Sequence, residues 1–357
     1  MTDHGGNVWQ AKQEYGLEVN QILDFSANIN PLGFPKSLKR IISKNIKSLD
    51  TYPDPECSTL KTELAKSIGL LPENLLIGNG SAELIYLIVK ALSPKSILVP
   101  VPAFSEYQKA AKLNKVKSIF LHSREKEDFK TDPEKLLISA SEVDLIFLCN
   151  PNNPTGFLFS KDELMRLLLI CEERDCTLVC DEVFIDFVKE GQGITLLKDV
   201  MKIKKLLVLR SFTKFFALPG LRIGYLAANK KLIDKIGQHQ PPWSVNILAQ
   251  QVALEVIKDD DYIKKSKEFI FKERDFLSRE LEKIKNLRIF PPSANFILCY
   301  LKKATLTSTA LSRKLGRLGI LIRDCSNFQG LDTRYFRVAV RKRKENLRLL
   351  ALLKEVL

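Results

Sequence analysis

Apolar positions along this chain follow two rhythms, and the texture changes near Ser244. From Leu75 to Ala228, short continuous apolar runs alternate with helical patterns. The runs are Leu75–Ile77, Ser96–Pro100, Lys117–Leu121, Asp144–Cys149, Thr177–Cys180, Lys205–Leu209 and Arg222–Ala228. Short apolar runs of this kind predict strands buried on both faces. Helical patterns separate several of them. Ala82–Leu92 is strongly apolar with Ser81 placed to cap it, and the pattern after Ser160 has Glu163 three residues on, which predicts a capping box. Repeated strand–helix units predict an α/β fold, a mostly parallel sheet covered by helices on both faces.

Ahead of that region, Leu38, Ile41, Ile42, Ile46 and Leu49 line one helical face across Ser37–Leu49, and Ser58 is placed to cap a helix carrying Leu60, Leu64 and Ile68. Beyond Ser244, two long helical patterns, Val245–Ile257 and Tyr262–Ile284, lead into strands at Arg288–Phe290 and Asn295–Leu301. A helix over Leu306–Leu315, strands at Ile320–Ile322 and Tyr335–Val340 and a last helix complete a smaller α+β domain. The expected division is an N-terminal arm and part of the small domain at 1–50, a large domain at 51–243 and a small C-terminal domain at 244–357.

Composition changes this picture little. The 357 residues carry a formal charge of +14, but the lysines are spread over helix faces and no basic stripe has interleaved aromatics. That excludes a nucleic-acid motif and leaves a bias toward anionic small molecules. Arg341–Lys344 reads as a charged turn between a strand and the last helix. Seven scattered cysteines predict reduced thiols and a cytoplasmic protein. Cys171 and Cys180 fall on different elements, so no metal site is expected. Met1–Gly6 lacks a basic segment followed by an apolar one, and no run is long enough to span a bilayer.

The informative polar residues stand at the strand ends, where doubly wound sheets bind ligands. One strand runs into Asn150-Pro151-Asn152-Asn153-Pro154-Thr155-Gly156, the next into Asp181-Glu182-Val183-Phe184, and the next into Arg210-Ser211-Phe212-Thr213-Lys214. A lysine among apolar neighbours loses solvation and keeps its amine nucleophilic more easily. Ser211 and Arg222 could hold a phosphate beside it. Alone, Lys214 reads either as a Schiff-base lysine for pyridoxal phosphate or as a surface lysine beside a structural arginine. The turn Gly78–Ser81, opening a helix at a strand's end, offers backbone N–H groups to an anion.

Taken together, in this order and spacing, the three strand ends resemble the fold-type-I pyridoxal-phosphate enzymes, the aspartate aminotransferase superfamily, over essentially the whole chain. The resemblance implies that Lys214 carries pyridoxal 5'-phosphate and that Asp181 pairs with its pyridine nitrogen. It implies Asn153 on the phenolic oxygen, Phe104 stacked on the ring, and Ser81 and Ala82 N–H on the phosphate with Ser211 and Arg222. Tyr52 would reach the neighbouring subunit's cofactor, which implies a homodimer with shared sites. Arg337 would grip the substrate carboxylate.

Three segments are most similar to the threonine-phosphate decarboxylase family, with histidinol-phosphate aminotransferases next: His4–Asn7, Asp24–Gly33 and Ile322–Phe328. This implies decarboxylation of L-threonine O-3-phosphate to (R)-1-aminopropan-2-yl phosphate for cobalamin biosynthesis, with L-serine O-phosphate a competing substrate. Transamination of histidinol phosphate or an aromatic amino acid is the alternative. His4, Asn30, Arg323 and Arg337 are the expected substrate contacts. Phe184 departs from the aminotransferases, which usually place a tyrosine three residues after the strand-end acid.

Overall fold

The computed structural model describes residues 4–303 and 305–357, so Met1–Asp3, the start of the stretch read as lacking a leader, lie outside the described residues. The strands are β1 (Leu23–Asp24), β2 (Leu75–Gly78), β3 (Ser96–Val101), β4 (Lys117–His122), β5 (Leu145–Cys149), β6 (Thr177–Asp181) and β7 (Leu206–Ser211). They continue with β8 (Gly224–Ala228), β9 (Leu287–Ile289), β10 (Phe296–Leu301), β11 (Ile320–Leu321), β12 (Arg323–Asp324) and β13 (Tyr335–Ala339). Seven of them form one sheet in the order β2-β8-β7-β6-β5-β3-β4. All its pairings are parallel except those of β8, which runs antiparallel to both neighbours.

The apolar runs behave as two-faced strands. Leu206 and Val208 of β7 enter one core cluster while Leu207 and Leu209 enter the other, and Ile146 and Leu148 of β5 are likewise opposed to Leu145 and Phe147. Alternate side chains of a strand point to opposite faces, so a run apolar throughout is what two covered faces require. The helix Gly80–Leu92 covers one side with Leu84, Ile85 and Ile88 fully buried. The helix Lys161–Glu173 opens with the expected box: Ser160 Oγ accepts from Glu163 N, and Glu163 accepts from Ser160 N.

Three local expectations are corrected. Ser58 is the first residue of its helix rather than the cap, and its N–H is taken by Asp54 Oδ2 at 2.6 Å. Ser81 lies inside the helix beginning at Gly80, where Asn79 precedes the first turn. The helical face of Ser37–Leu49 stops at Asn45, and a tighter turn over Ile46–Asp50 leaves Ile46 and Leu49 exposed. The sequence also gave no notice of the helix Val8–Tyr15, capped by the side chain of Asn7.

The later strands build a second, antiparallel sheet in the order β12-β13-β10-β9. The N-terminal segment joins them: β1 pairs in parallel with β11, and Phe25 bonds to both Leu321 and Ala339 through its backbone. Those bonds carry Ser26, Ala27 and Asn28 to the cavity between the strand ends of the large sheet and β12–β13.

Candidate active site

The carboxyl ends of β5, β6 and β7 open onto a cavity of about 490 Å³. Lys214 projects into it from the short helix Phe212–Phe215, which follows β7 directly. Ser211 Oγ caps that turn by accepting from Thr213 N at 3.1 Å. The lysine's ordinary pKa of 10.5 is pulled down to about 8, first by burial and then by the nearby Arg337 and Arg222 guanidiniums. Asp181, at the end of β6, accepts from Val183 N–H at 3.0 Å and from the Tyr107 hydroxyl at 2.6 Å. Burial raises its pKa above the ordinary aspartate value.

Opposite them, β12 and β13 place two arginines side by side, because Arg323 and Arg337 are direct cross-strand partners. Both are buried and both line the cavity. Arg337 donates to Asn153 Oδ1 and, at 2.8 Å, to the carbonyl of Ser26. Burial and Arg323 together bring its pKa down to about 10, from 12.5, although Asp24 opposes them. Arg323 donates to Asn327 Oδ1 at 2.8 Å and to the backbone carbonyl of Asp324, with its guanidinium over the Phe328 ring. The Asp324 carboxylate is occupied elsewhere, by Ser308 and Thr309 hydroxyls at 2.7 and 2.6 Å and by Ser326 N–H. The adjacent acid is therefore not what Arg323 pairs with.

The start of the helix Gly80–Leu92 forms a third wall. A Cβ on Gly224 would lie 2.7 Å from Ser81 N, and one on Gly80 would lie 2.6 Å from Arg222 Nη2. Backbone contacts at Gly224 and a φ of +80° at Gly80 favour glycine at both positions, and the helix start and Arg222 close around the same spot, a cradle for an anion. Ser81, Ala82 and Arg222 all line the cavity there, with Thr213 beside them. Phe104 forms another side, packed edge-on to Tyr107. At the rim, His4 lies against Phe104 and meets Glu106 Oε1 at 2.8 Å. Glu106 also accepts from Tyr86 and Lys109, and these bonds, His4's first, hold its pKa at about 2.

Ten of the thirteen residues expected at the site line this one cavity: Lys214, Asp181, Asn153, Phe104, Ser81, Ala82, Arg222, His4, Arg323 and Arg337. Asn30 is a correction. Its amide donates to the Phe215 carbonyl and Ser266 Oγ, both at 2.8 Å, and its carbonyl accepts from Leu32 N, so it braces the turn behind Lys214 instead of facing substrate. Ser211 does not line the cavity; its hydroxyl bonds Thr213 at 2.8 Å and Thr213 forms the wall. Tyr52 also lies outside it, 78% exposed and stacked on Trp243. Sequence reasoning missed Asn28, Thr213, Glu106 and Tyr107.

The set fits pyridoxal phosphate. A carboxylate, a ring-sized aromatic wall, a lysine amine and a glycine-lined anion cradle converge, and the buried Asn28 Oδ1 and Arg337 Nε have no hydrogen-bond partner. Buried polar atoms normally find partners, so these two residues of the cavity lining have hydrogen-bonding capacity that a bound group can use.

Comparison with known proteins agrees with the geometry. Residues 17–353 match the family described as aminotransferase class I and II. The chain is similar to the threonine-phosphate decarboxylase of Salmonella typhimurium, 36% identical over 356 residues, which cover 99% of this chain and 96% of that protein. Among solved structures it resembles the histidinol-phosphate aminotransferase from Clostridium acetobutylicum, with a TM-score of 0.88 and 36% identity, covering 94% of this chain and 99% of that one. It also resembles the L-threonine-O-3-phosphate decarboxylase from Porphyromonas gingivalis, with a TM-score of 0.82 and 28% identity, covering 93% and 98%. The chain therefore belongs to the class I and II aminotransferase family and is a pyridoxal-phosphate-dependent enzyme.

Proposed function

We propose that the enzyme decarboxylates L-threonine O-3-phosphate to (R)-1-aminopropan-2-yl phosphate, the linker used in cobalamin biosynthesis. The observation that carries this reading is the buried cross-strand pair of Arg323 and Arg337 inside the cofactor cavity. A phospho-amino acid brings two anions a few bonds apart, and two fixed guanidiniums can hold one each.

Asp181 would hold the pyridine nitrogen, Asn153 the phenolic oxygen and Phe104 one face of the ring. Ser81 and Ala82 N–H, with Arg222 and Thr213, would hold the cofactor phosphate, and Lys214 the covalent link. When bound, pyridoxal phosphate supplies an electron-accepting ring that stabilises the pair left by a broken bond at the α-carbon. The protein decides which bond that is. Arg337, braced by Asn153 and the Ser26 carbonyl, grips the carboxylate, while Arg323 anchors the phosphate and so sets the rotation about the α-carbon. Lys214 Nζ, with its pKa brought near 8, is the group able to return a proton to the α-carbon after carbon dioxide leaves.

A second reading is transamination of histidinol phosphate, favoured by the likeness to the Clostridium enzyme. Phe184, which lines the cavity without a hydroxyl, weighs against it. We read the functional unit as a cytoplasmic homodimer whose three chain segments form an arm, a large and a small domain. Support for the dimer comes from Tyr52, Trp243, Ile46 and Leu49, apolar side chains exposed outside the chain's own cavity.

Mass spectrometry of products separates the readings. Carbon dioxide and an amino-alcohol phosphate are expected from L-threonine O-3-phosphate; a keto product with 2-oxoglutarate consumed would overturn decarboxylation. Relative turnover of L-serine O-phosphate measures the methyl discrimination, which a pocket typically sets at about 1–3 kcal/mol. Arg323→Ala should weaken the phosphorylated substrate by roughly 2–3 kcal/mol and leave unphosphorylated threonine equally poor. Equal slowing of both would make Arg323 structural.

A further inference from the structure

Tyr107 lies in the first turn of the helix Glu106–Leu113, fully buried, and does not line the cavity. Its ring stacks on Phe147 at 4.8 Å with 9° between planes, and Phe104 meets its edge at 5.8 Å and 82°. Held on two sides, the phenol has one place to point, and its hydroxyl donates to Asp181 Oδ2 at 2.6 Å. The other carboxylate oxygen accepts from Val183 N–H. Among the described residues, Tyr107 is the one side chain that hydrogen-bonds this carboxylate.

We infer that Tyr107 is a positioning residue that keeps Asp181 ionised and aimed at the cofactor's ring nitrogen, and so sets how strongly the bound ring withdraws electrons. A carboxylate buried this deeply tends to keep its proton, and burial does raise Asp181. Hydrogen bonding to the charged form opposes that tendency. The donor's own chemistry matters. A guanidinium or imidazolium in its place would neutralise Asp181, whereas a neutral phenol orients the charge and leaves it whole for the ring nitrogen. Burial and the neighbouring Asp181 push the Tyr107 phenol well above its ordinary range, so it stays a donor. The other titratable groups around Asp181 are Lys214 after β7, which favours the ionised form, and the buried thiols of Cys149 and Cys180.

The inference rests on Asp181 facing the ring nitrogen and not on which bond the enzyme cleaves, so its test uses no substrate. Cofactor-free enzyme is titrated with pyridoxal phosphate, and the pH midpoint of the bound cofactor's visible absorption is recorded. Four proteins are compared: wild type, Tyr107→Phe, Asp181→Asn and the double variant. Tyr107→Phe should weaken cofactor binding roughly tenfold, the scale of a hydrogen bond to a charged group. It should also move the midpoint to higher pH, because a ring nitrogen holding less positive charge repels the proton on the lysine-side nitrogen less. On the Asp181→Asn background the same substitution should change neither quantity. Equal losses in both backgrounds, or no loss in wild type, would overturn the inference and leave Tyr107 a packing residue. Should the phenylalanine variant not fold, Tyr107→Gln keeps a neutral N–H donor. It must then retain more affinity than Tyr107→Leu, and equality of the two overturns the inference as well.

Discussion

Replacing Lys214 with methionine should make the cofactor-free protein more stable. The lysine's pKa falls from 10.5 to about 8 in the folded chain. Each unit corresponds to about 1.4 kcal/mol of differential interaction, so keeping this ammonium charged inside the fold costs about 3 kcal/mol. Below pH 8 the proton is bound in both folded and unfolded states, and the folded state carries the whole penalty. Between about 8 and 10.5 the folded lysine is neutral while the unfolded one stays charged. The unfolded state then binds more protons, so wild-type stability rises with pH through that window. Methionine has similar length, no charge and no such dependence. Calorimetric melting of cofactor-free wild type and Lys214→Met at pH 7 should show the variant higher by several degrees, on the scale of about 3 kcal/mol. The gap should shrink as pH climbs from 8 to 10. A variant no more stable at pH 7, or a gap that ignores pH, would refute the burial-and-repulsion account of this lysine.

Two further outcomes follow from the placement of single residues. Mixing Tyr52→Ala chains with Lys214→Ala chains should restore activity in verified hybrid dimers, since a shared site leaves one of the two intact; no recovery would mean each chain builds its own. Asn30→Ala should lower the melting temperature, removing bonds to the Phe215 carbonyl and Ser266 at a cost of about 1–3 kcal/mol, with substrate KM unchanged. A raised KM with unchanged melting would restore Asn30 to the substrate.

The strand-end chemistry was legible because a parallel sheet sends consecutive carboxyl ends to one edge, so Asn153, Asp181 and Lys214 meet although they are spread over 62 positions, from 153 to 214. Local rotation was not legible. Asn28 and Asn30 have the spacing that puts two side chains on one face of a strand, but the turn beginning at Asn30 sends its amide back to Phe215. Ser211 and Thr213 are separated by a strand-to-helix switch, and that switch gives the wall to the threonine. Tyr107 reads in sequence as an ordinary core aromatic. Only the packing of Phe147 and Phe104 shows that its hydroxyl has a single target. Ile46 and Leu49 keep a helical spacing past the point where the helix tightens, and a tighter turn no longer puts them on the buried face.

The chain's +14 charge is spread over its surface, and the functional positive charge is a separate matter of four groups. Lys214, Arg222, Arg323 and Arg337 all border one cavity, and the pKa of Arg337 and that of Lys214 are both lowered partly by their cationic neighbours. Strand register prevents escape: Arg323 and Arg337 are cross-strand partners, and Asn153 and the Ser26 carbonyl hold the second in place. Asp24 and Asp181 offset part of this, while the Glu106 carboxylate is engaged by His4, Tyr86 and Lys109. Cations gathered on one cavity favour ligands that bring anions to the right places. The cofactor phosphate suits the cradle at Gly80 and Arg222, and a carboxylate with a second phosphate suits the arginine pair. On the proposed reading, a substrate lacking the second phosphate loses the anchoring contact at Arg323. On that reading, selection for a phosphorylated amino acid is built into the register of two short strands.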